Sequence, residues 1–482
     1  MSAREEIREY VLKTPPGGIK RYNHDALCDL LDVEDRSRVI FEQGVGREAI
    51  VRVYPSNPLT DMRPVRPDDL RMDADGCVRI GSYFDDEPLP FRLFDPDTGN
   101  AQRGAVFGTT GAGKSRLVQA ILVACKRNNI IVHLADLKHG QSVPEAKGQT
   151  ATHVTAQYDT ILMLRGLVAE AERRMTAYGA LGRSGFVIGD PDPLMYGIID
   201  EANRLLEKGA PFRAEAATLI KELGRTGRSV GVGIIIAAQA GDLAELGGSD
   251  TLRAMLKEGE VILLRWSSSM MRQLVQDGLL AKGEALQPIP KTIGRVQRVR
   301  RYDAPAAQSA NKVNSQGMLY HLTGGRPASM ARTYMVGSTA PTPGFDPVIL
   351  DLYGTQPPPG EPIDLARYVT VKEAEKGMRP RAGALPTTAA TLPNPAPEPD
   401  PADAPETPQG PPTIARRILA LVPPDGMSVP DLLEALNADG RGTRPVRRGT
   451  LLTTLSTMRD RGQVARPDDS GLVRPLPADQ LV

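Results

Sequence analysis

One eight-residue stretch constrains what this chain can fold into more than any other part of it. Residues 108–115 read Gly-Thr-Thr-Gly-Ala-Gly-Lys-Ser and match the pattern G-x-x-x-x-G-K-[ST] at every fixed position. In that pattern, glycines let the backbone curl around phosphate groups with its N–H groups pointing inward. Residues 105–107 read as a buried strand before the stretch, and apolar residues at helical spacing follow it. A strand, a glycine loop and a helix in this order predict a phosphate-binding loop, whereas a chance match in a turn would lack these flanks.

The expected nucleotide site consists of this loop and the residue after it. Lys114 is placed to reach the β- and γ-phosphates of a nucleoside triphosphate, and the Ser115 hydroxyl is placed to ligate Mg²⁺. ATP and Mg²⁺ are therefore the expected cofactors. The residues expected to contact the nucleotide are Gly108, Thr109, Thr110, Gly111, Ala112, Gly113, Lys114, Ser115 and Arg116.

An acidic pair forms the second candidate site. Asp200 and Glu201 end an apolar run, residues 195–199, that would form a strand beside the strand of the loop. In phosphate-loop ATPases a strand-terminal Asp holds Mg²⁺, and a following Glu can polarise the attacking water. The alternative is that Asp200 caps a helix and Glu201 faces the helix dipole from its first turn. The phosphate loop favours the catalytic roles for both carboxylates.

Two further kinds of residue are candidates for catalysis. Gln239 follows an apolar strand and could sense the γ-phosphate, although it could equally be an exposed strand end. Arg228, with Arg225, Arg253 and Arg272, is a candidate for an arginine finger that reaches the nucleotide of a neighbouring subunit. Each of these arginines could instead be a solvated charge or a contact to DNA phosphates.

The composition excludes several classes of protein. The chain has 482 residues, too many for a single core, and its net charge of +1 does not indicate a partner. Its three cysteines are scattered and its five histidines form no ligand pattern, so neither a cysteine- or histidine-based metal site nor a secreted disulfide framework is expected. The amino terminus lacks the apolar core of a signal peptide, and the most apolar run, 231–238, is far below the ~20 residues that span a bilayer. We expect a cytoplasmic protein with no transmembrane segment of its own.

Strand and helix patterns alternate between about residues 104 and 335. Such alternation predicts an α/β fold with a mostly parallel sheet and helices on both of its faces. We expect four parts: a small α/β module at 1–100, the ATPase motor at 101–352, a proline-rich flexible linker at 353–412 and a separate domain at 413–482. Residues 381–412 hold ten prolines and no aromatic residue, a composition that buries too little apolar surface to order itself.

The last part has the outline of a winged helix-turn-helix domain. Helices are expected near 414–422, 428–436 and 446–458, followed by a β-hairpin around the turn at 468–471. In such domains the third helix enters the DNA major groove. Between residues 441 and 461 there are six arginines and one acidic residue, which supports DNA binding. A small protein-docking bundle or a dimer interface is the alternative. The residues expected to contact DNA are Arg444, Arg447, Arg448 and Arg459.

Taken together, these motifs resemble the FtsK/SpoIIIE family of DNA-pumping ATPases over about residues 100–336. Besides the two nucleotide motifs, the resemblance rests on the helix at 167–174, on Asp136-Leu-Lys138 where the family has Asp-Pro-Lys, and on the turn, strand and terminal Gln at 228–239. It implies a RecA-like motor that assembles as a homo-oligomer, usually a hexameric ring, around double-stranded DNA. In that family Lys114, Ser115, Asp200 and Glu201 would carry the catalytic roles, with Gln239 and Arg228 as further members of the site.

The order of motor, linker and winged helix is similar to that of the TraB-type transfer proteins of actinomycete conjugative elements. The resemblance implies an ATP-driven translocase of double-stranded DNA, acting in conjugative or mobile-element transfer or in chromosome segregation. Family members that segregate chromosomes are tethered to the membrane, and a membrane-anchored partner could supply such a tether here. Two alternatives stay open: an FtsK-like ATPase of a protein secretion system, and a DNA-binding regulator that nucleotide switches.

Overall fold

The computed structural model describes two compact units, Met1–Ala390 and Thr391–Val482. The boundary expected near residue 100 falls inside the first unit. The described residues are 7–13, 23–33, 35–43, 48–239, 259–265, 286, 288–293, 313–322, 329–340, 342–380, 414–423, 426–438, 446, 448–460, 464 and 472–473.

The strands all lie in the first unit. They are β1 (Arg8–Lys13), β2 (Val39–Gln43), β3 (Glu48–Val53), β4 (Cys77–Tyr83), β5 (Pro88–Arg92), β6 (Phe94–Asp95), β7 (Asn100–Ala101), β8 (Arg103–Gly108), β9 (Ile131–Asp136), β10 (Thr152–Val154), β11 (Met195–Asp200), β12 (Val232–Ala238), β13 (Glu260–Leu264), β14 (Thr292–Ile293), β15 (Val313–Asn314), β16 (Met318–Leu322) and β17 (Met330–Thr333).

The helices occur in both units. The first unit contains α1 (His24–Leu30), α2 (Lys114–Arg127), α3 (Gln157–Ala180), α4 (Asn203–Leu206), α5 (Arg213–Glu222), α6 (Pro347–Tyr353) and α7 (Val371–Glu375). The second unit contains α8 (Ile414–Leu421), α9 (Val429–Ala438) and α10 (Arg448–Asp460).

A ten-stranded mixed sheet organises the first unit. Its strand order is β10-β9-β11-β12-β8-β13-β16-β17-β4-β5. The strands from β10 to β13 run parallel, and those from β16 to β5 are antiparallel to their neighbours. All residues of β9, β11, β12 and β13 are buried, as expected for parallel strands covered on both faces. This part of the sheet confirms the predicted α/β class.

The register brings the ends of several parallel strands to one edge of this sheet. Asp200 pairs with Asp136, and Gly108 pairs with Leu264. Ala238 pairs with Phe107 on the other side of β8. Residues that directly follow these strands therefore lie close together, and this is the edge at which parallel α/β sheets bind ligands.

The amino-terminal hundred residues divide between two sheets. Strands β1, β3 and β2 form a separate antiparallel sheet whose apolar side, with Cys28 of α1, makes its own small core. Strands β4 and β5 instead extend the ten-stranded sheet, since β4 pairs with β17. Their side chains, including Ile80 and Phe91, belong to the same core as the motor strands. The sequence indicates strands here, but periodicity does not reveal which sheet a strand joins.

The long helix α3 is anchored by a buried arginine. The sequence pattern places Arg174 off the apolar face, yet its side chain is only 1% exposed. Its guanidinium donates hydrogen bonds to the Pro193 and Val230 carbonyl oxygens, 2.9 and 3.1 Å away, and to Glu170 Oε1 at 2.8 Å. Burial is tolerated because these acceptors, which precede β11 and β12, satisfy the guanidinium.

Part of the segment expected to be a flexible linker packs against the motor. Residues 354–380, here called the strap, cross the outer strands and α3. The Ile363 amide donates to Thr152 Oγ1 at 2.9 Å, and Arg165 of α3 forms a two-pronged ion pair with Glu373 at 2.7 and 2.8 Å. Leu365 of the strap is buried. The sequence carries no local sign of these contacts, because prolines are frequent in the strap and its partners Thr152 and Arg165 are distant in the chain. Residues 381–412 lie outside the described residues.

The Arg165–Glu373 pair should make the attachment of the strap depend on pH. The Arg165 guanidinium holds the pKa of Glu373 down at about 2, from an ordinary 4.5. A lowered carboxyl pKa stabilises the folded state above pH ~4.5, and this contribution is lost as pH falls toward 2. At pH 7, Glu373→Gln should lower the free energy of unfolding by about 1 to 2 kcal/mol after discounting for solvent screening.

Urea unfolding of the native chain and of Glu373→Gln at pH 7 and pH 3 measures this effect. The difference between the two proteins should shrink at pH 3. Lys372→Gln, an exposed position on the same helix, is the control and should unfold like the native chain at both values. An equal deficit of Glu373→Gln at both pH values would contradict the assignment.

The described residues of the second unit form three helices around a small core. Buried side chains of α8, α9 and α10, including Ile418, Leu432 and Leu455, pack together with Val473. The Met427 and Val473 backbones exchange two hydrogen bonds at 2.8 and 2.9 Å. Helix α9 begins after Ser428, whose hydroxyl accepts a hydrogen bond from the Asp431 amide at 3.3 Å and so caps the start of the helix. Most of the expected β-hairpin lies outside the described residues.

Candidate nucleotide-binding site

The phosphate loop connects β8 to α2 in the predicted arrangement. Gly111 and Gly113 have φ angles of 76° and 105°, in the left-handed region that glycine adopts at least cost. Helix α2 begins at Lys114, so its unpaired N–H groups and the positive end of its dipole face the loop. Thr109, Thr110 and Gly111 are exposed, while Ala112 is buried and fixes the loop to the core.

Lys114 and the acidic pair meet at the edge of the sheet. The Lys114 ammonium donates to Asp200 Oδ1 and lies 3.1 Å from Glu201 Oε1. All three side chains are almost fully buried. Burial raises the pKa of Asp200 although the Lys114 charge lowers it. The sequence prediction that these three residues share one site agrees with this geometry.

The alternative role of Asp200 as a helix N-cap does not describe this arrangement. Asp200 is the last residue of β11, and the following helix α4 begins at Asn203 without a side-chain cap. Glu201 has a φ of 56°, a left-handed conformation that is uncommon outside glycine and is often found at functional sites. This backbone conformation turns Glu201 toward the phosphate loop.

Gln239 belongs to the same cluster, whereas Arg228 does not. Gln239 Nε2 donates to Glu201 Oε2 at 3.3 Å. Arg228 precedes β12 and donates to the Ala101 carbonyl at 3.2 Å, at the opposite edge of the sheet. The seven residues of β12 separate it from the phosphate loop by roughly 20 Å. Arg228 therefore cannot contact a nucleotide bound to its own chain. Arg253 and Arg272 lie outside the described residues.

A cavity of about 430 Å³ lies beside the loop and is large enough for a small-molecule ligand. At one end its lining includes Lys114, Glu201 and Gln239, and at the other Arg116 and Ile349. The sequence patterns gave no sign that residues beyond 340 reach this cavity.

Two polar contacts hold residues 342–353 against α2, and a third joins them to Glu145 in the turn after β9. Arg116 forms an ion pair with Asp346 at 3.2 Å, and Gln119 donates to the buried Tyr353 hydroxyl at 3.2 Å. The Asp346 amide donates to Glu145 Oε1 at 2.9 Å. Arg116, Gln119 and Glu145 all line the cavity, so this segment builds its far end.

The turn after β9 forms another wall of the cavity. The fully buried Asp136 accepts hydrogen bonds from the Lys138, Ser142 and Val143 amides at 2.9 to 3.2 Å. These bonds fix the turn, and Lys138 and Ser142 line the cavity. In the Asp-Leu-Lys run, Asp136 thus orders the backbone while Lys138 brings a positive charge to the site.

The residues at the loop fit a phosphate-bound divalent cation. Asp200 Oδ2 is buried and has no hydrogen-bond partner among the described residues. An unsatisfied buried carboxylate oxygen is unfavourable unless a cation or an ordered water contacts it. Ser115, at the start of α2, and Asp200 are the residues that would hold Mg²⁺ together with the phosphates. The described residues contain no cluster of three or more acidic, His or Cys side chains that would hold a metal without a nucleotide.

The predicted DNA contacts are only partly within the described residues. Arg448 begins α10 and is exposed. Arg459 lies in the last turn of the same helix, and Arg444 and Arg447 lie outside the described residues. The arrangement of the four arginines stays a prediction. No described helix is both long and apolar enough to cross a membrane.

No family model matches the chain. Among curated proteins, the ESX-4 secretion system protein EccC4 of Mycobacterium tuberculosis is 26% identical over 203 residues, which are 37% of this chain and 16% of that protein. The chain thus matches a small part of this relative, and the function of the whole relative does not transfer to it.

Solved structures that resemble the chain include the following two. The monomer form of the pCW3 conjugation coupling protein TcpA with ATPγS has a TM-score of 0.44 at 15% identity, over 68% of this chain and 85% of that one. The cytoplasmic domain of the type VII secretion ATPase EccC of Thermomonospora curvata has a TM-score of 0.41 at 20% identity, over 63% and 34% of the two chains. Both scores are low, so no detail of either structure is carried over to this chain.

Proposed function

We propose that the chain is an ATP-hydrolysing motor that translocates double-stranded DNA, of the FtsK/SpoIIIE type and close in layout to conjugative transfer ATPases. The cluster of Lys114, Asp200, Glu201 and Gln239 at the carboxyl edge of the parallel strands carries the proposal. A protein that only binds nucleotide needs the loop and the lysine, but it has no need for a buried glutamate beside them.

Each side chain of the cluster has a separate task in hydrolysis. The loop amides and Lys114 hold the phosphates and offset the charge that develops on them. Mg²⁺ when bound would supply further charge neutralisation. Glu201 accepts a proton from the attacking water, and the hydrogen bond from Gln239 holds its carboxylate in place. Lys114 is paired with Asp200 and Glu201 in this structure. When Lys114 binds the phosphates of a nucleotide, its ion pairs with the two carboxylates must weaken.

DNA as the cargo is supported by the second unit. Its three helices and the exposed Arg448 at the start of α10 fit a winged helix that grips the duplex. Tethered through residues 381–412, such a domain would load the motor or set its direction by reading base edges. A hexameric ring of motor units would hold the duplex by its phosphates, without reading its sequence. A membrane-anchored partner would tether the ring.

The proposal is tested by ATP hydrolysis with and without long duplex DNA, together with displacement of a triplex-forming strand. The native chain should be stimulated by duplex and should displace the third strand. Truncation after residue 380 keeps the strap and should retain basal hydrolysis while losing sequence-specific DNA binding. Absence of both stimulation and displacement in the native chain would rule out translocation of DNA.

Protein secretion is the second candidate, and the similarity to a secretion system protein favours it. A secretion ATPase would hydrolyse ATP without any response to duplex DNA. Arg448→Glu separates the two candidates further, because it should weaken DNA binding of a translocase by up to about tenfold through charge repulsion at the recognition helix. In a secretion ATPase the same change should leave hydrolysis and substrate transport unaltered.

A further inference from the structure

A buried arginine lies on the other flank of the phosphate loop from the acidic pair. Arg265 directly follows β13, which pairs with β8 on the side opposite β12. Its side chain approaches the loop closely, because a Cβ placed on Gly111 would lie 3.7 Å from Arg265 Nη1. Glu201 directly follows β11 and Arg265 directly follows β13, and both residues have left-handed backbones, at φ values of 56° and 46°.

The partners of Arg265 among the described residues leave its charge uncompensated. Arg265 Nη2 donates to Asn314 Oδ1 at 2.7 Å and Nε donates to Ser315 Oγ at 3.2 Å. Both acceptors are neutral, and no carboxylate pairs with this guanidinium among the described residues. The residue is only 9% exposed, and burial lowers the pKa of its side chain. Lys114, in contrast, has two carboxylates beside it.

The same arginine holds a segment that touches the loop. Asn314 and Ser315, its two acceptors, begin the segment 314–317, and the Gly317 amide donates to the Ala112 carbonyl at 2.9 Å. Gln316 of this segment lines the cavity. A buried cation without a counter-ion is costly, and a polyphosphate in the adjacent loop would supply the missing negative charge.

We propose that Arg265 is a second cationic group of the phosphate-binding site, packed behind the loop at Gly111, which stabilises a bound triphosphate by its charge. This inference rests on the proposed nucleotide site and adds a residue to it. Arg265 acts on the ligand through the loop and is therefore a positioning residue. The sequence carries the signal in residues 260–265, where an apolar run ends in a charge, as the run before Asp200 does.

The effect of the charge should grow with the charge of the ligand. A unit charge several ångströms away at an effective dielectric constant near 20 changes a dissociation constant by about tenfold. For Arg265→Gln in the full chain, we expect the Kd of a fluorescent ATPγS to rise about tenfold, that of the ADP derivative about threefold and that of the AMP derivative hardly at all. Arg265→Lys, which keeps the charge, should restore most of the affinity for ATPγS.

Arg332→Gln is the matched control. Arg332 is also a buried arginine, and it donates to the Asn314 and Gln316 carbonyls at 2.7 and 3.1 Å, so it holds the same segment through neutral acceptors. If Arg265 only anchors segment 314–317, the control should show the same pattern of Kd changes. The proposal requires instead that the graded loss occurs in Arg265→Gln and not in Arg332→Gln.

The outcomes separate this inference from the proposed function. If the native chain binds none of the three nucleotides, both the proposed nucleotide site and the role of Arg265 are ruled out. If the native chain binds ATPγS but Arg265→Gln raises all three dissociation constants equally or not at all, only the role of Arg265 is ruled out. Arg265→Met keeps an unbranched, largely apolar stem at this position and removes the charge, so it replaces Arg265→Gln in the same comparison if that variant does not fold.

Discussion

Replacing Lys114 by alanine is expected to abolish hydrolysis and to lower the stability of the chain at the same time. The ammonium is the cation that the phosphates need, so the rate of ATP hydrolysis should fall by at least about 100-fold. It is also the only described cation paired with Asp200 and Glu201. Removing one partner of a buried ion pair leaves an uncompensated buried charge, which lowers the free energy of unfolding. Protonation of Asp200 would limit this loss, so we expect about 2 to 4 kcal/mol.

Phosphate release and urea unfolding measure the two effects. Lys126→Ala is a matched control, because Lys126 is a second buried lysine of α2 that donates to the Gly354 carbonyl and does not line the cavity. It should lose stability and keep hydrolysis. A Lys114→Ala protein that hydrolyses ATP at a rate close to the native one would show that the loop is not the catalytic site.

Glu201→Gln should separate nucleotide binding from hydrolysis. The amide keeps the shape of the side chain and cannot accept a proton from water, so hydrolysis should slow by about 10² to 10⁴-fold. Binding of ATP should persist or tighten, because one negative charge beside the phosphates is lost. Single-turnover hydrolysis and equilibrium binding of a fluorescent ATP give the two quantities for the same protein.

Glu145→Gln is the control for that result. Glu145 is another buried glutamate of the cavity wall, and it accepts from the Asp346 amide at the far end. Its replacement should alter affinity and leave the rate of the chemical step within about threefold of the native value, well short of a general-base effect. Equal slowing in both variants would mean that Glu201 has no special catalytic role. Unchanged hydrolysis in Glu201→Gln would remove it from the site.

The sequence predicts the phosphate loop, the acidic pair and the parallel strands because each depends on a local pattern. The expectation that the strand of Asp200 lies beside the strand of the loop is wrong, because β12 lies between β11 and β8. Asp200 was recognisable because it ends an apolar run, and the structure places it against Lys114. Contacts between distant residues had no such signal. The strap depends on a few pairs such as Arg165 with Glu373, which are 208 residues apart. The sequence pattern places Arg174 off the apolar face of α3, because nothing local shows that its guanidinium would reach the carbonyl groups that precede β11 and β12.

The antiparallel extension of the sheet has a consequence for the order in which the chain can fold. Ala331 of β17 pairs with Tyr83 of β4, and the two residues are separated by about 250 positions. A ribosome adds about 5 to 20 residues per second, so β4 and β5 wait for tens of seconds before their partner strand exists. During that time their apolar side chains, Ile80, Leu89 and Phe91, have no completed sheet to cover them. Strands β4 and β5 are thus the first part of the motor sheet to be synthesised and the last to pair into it.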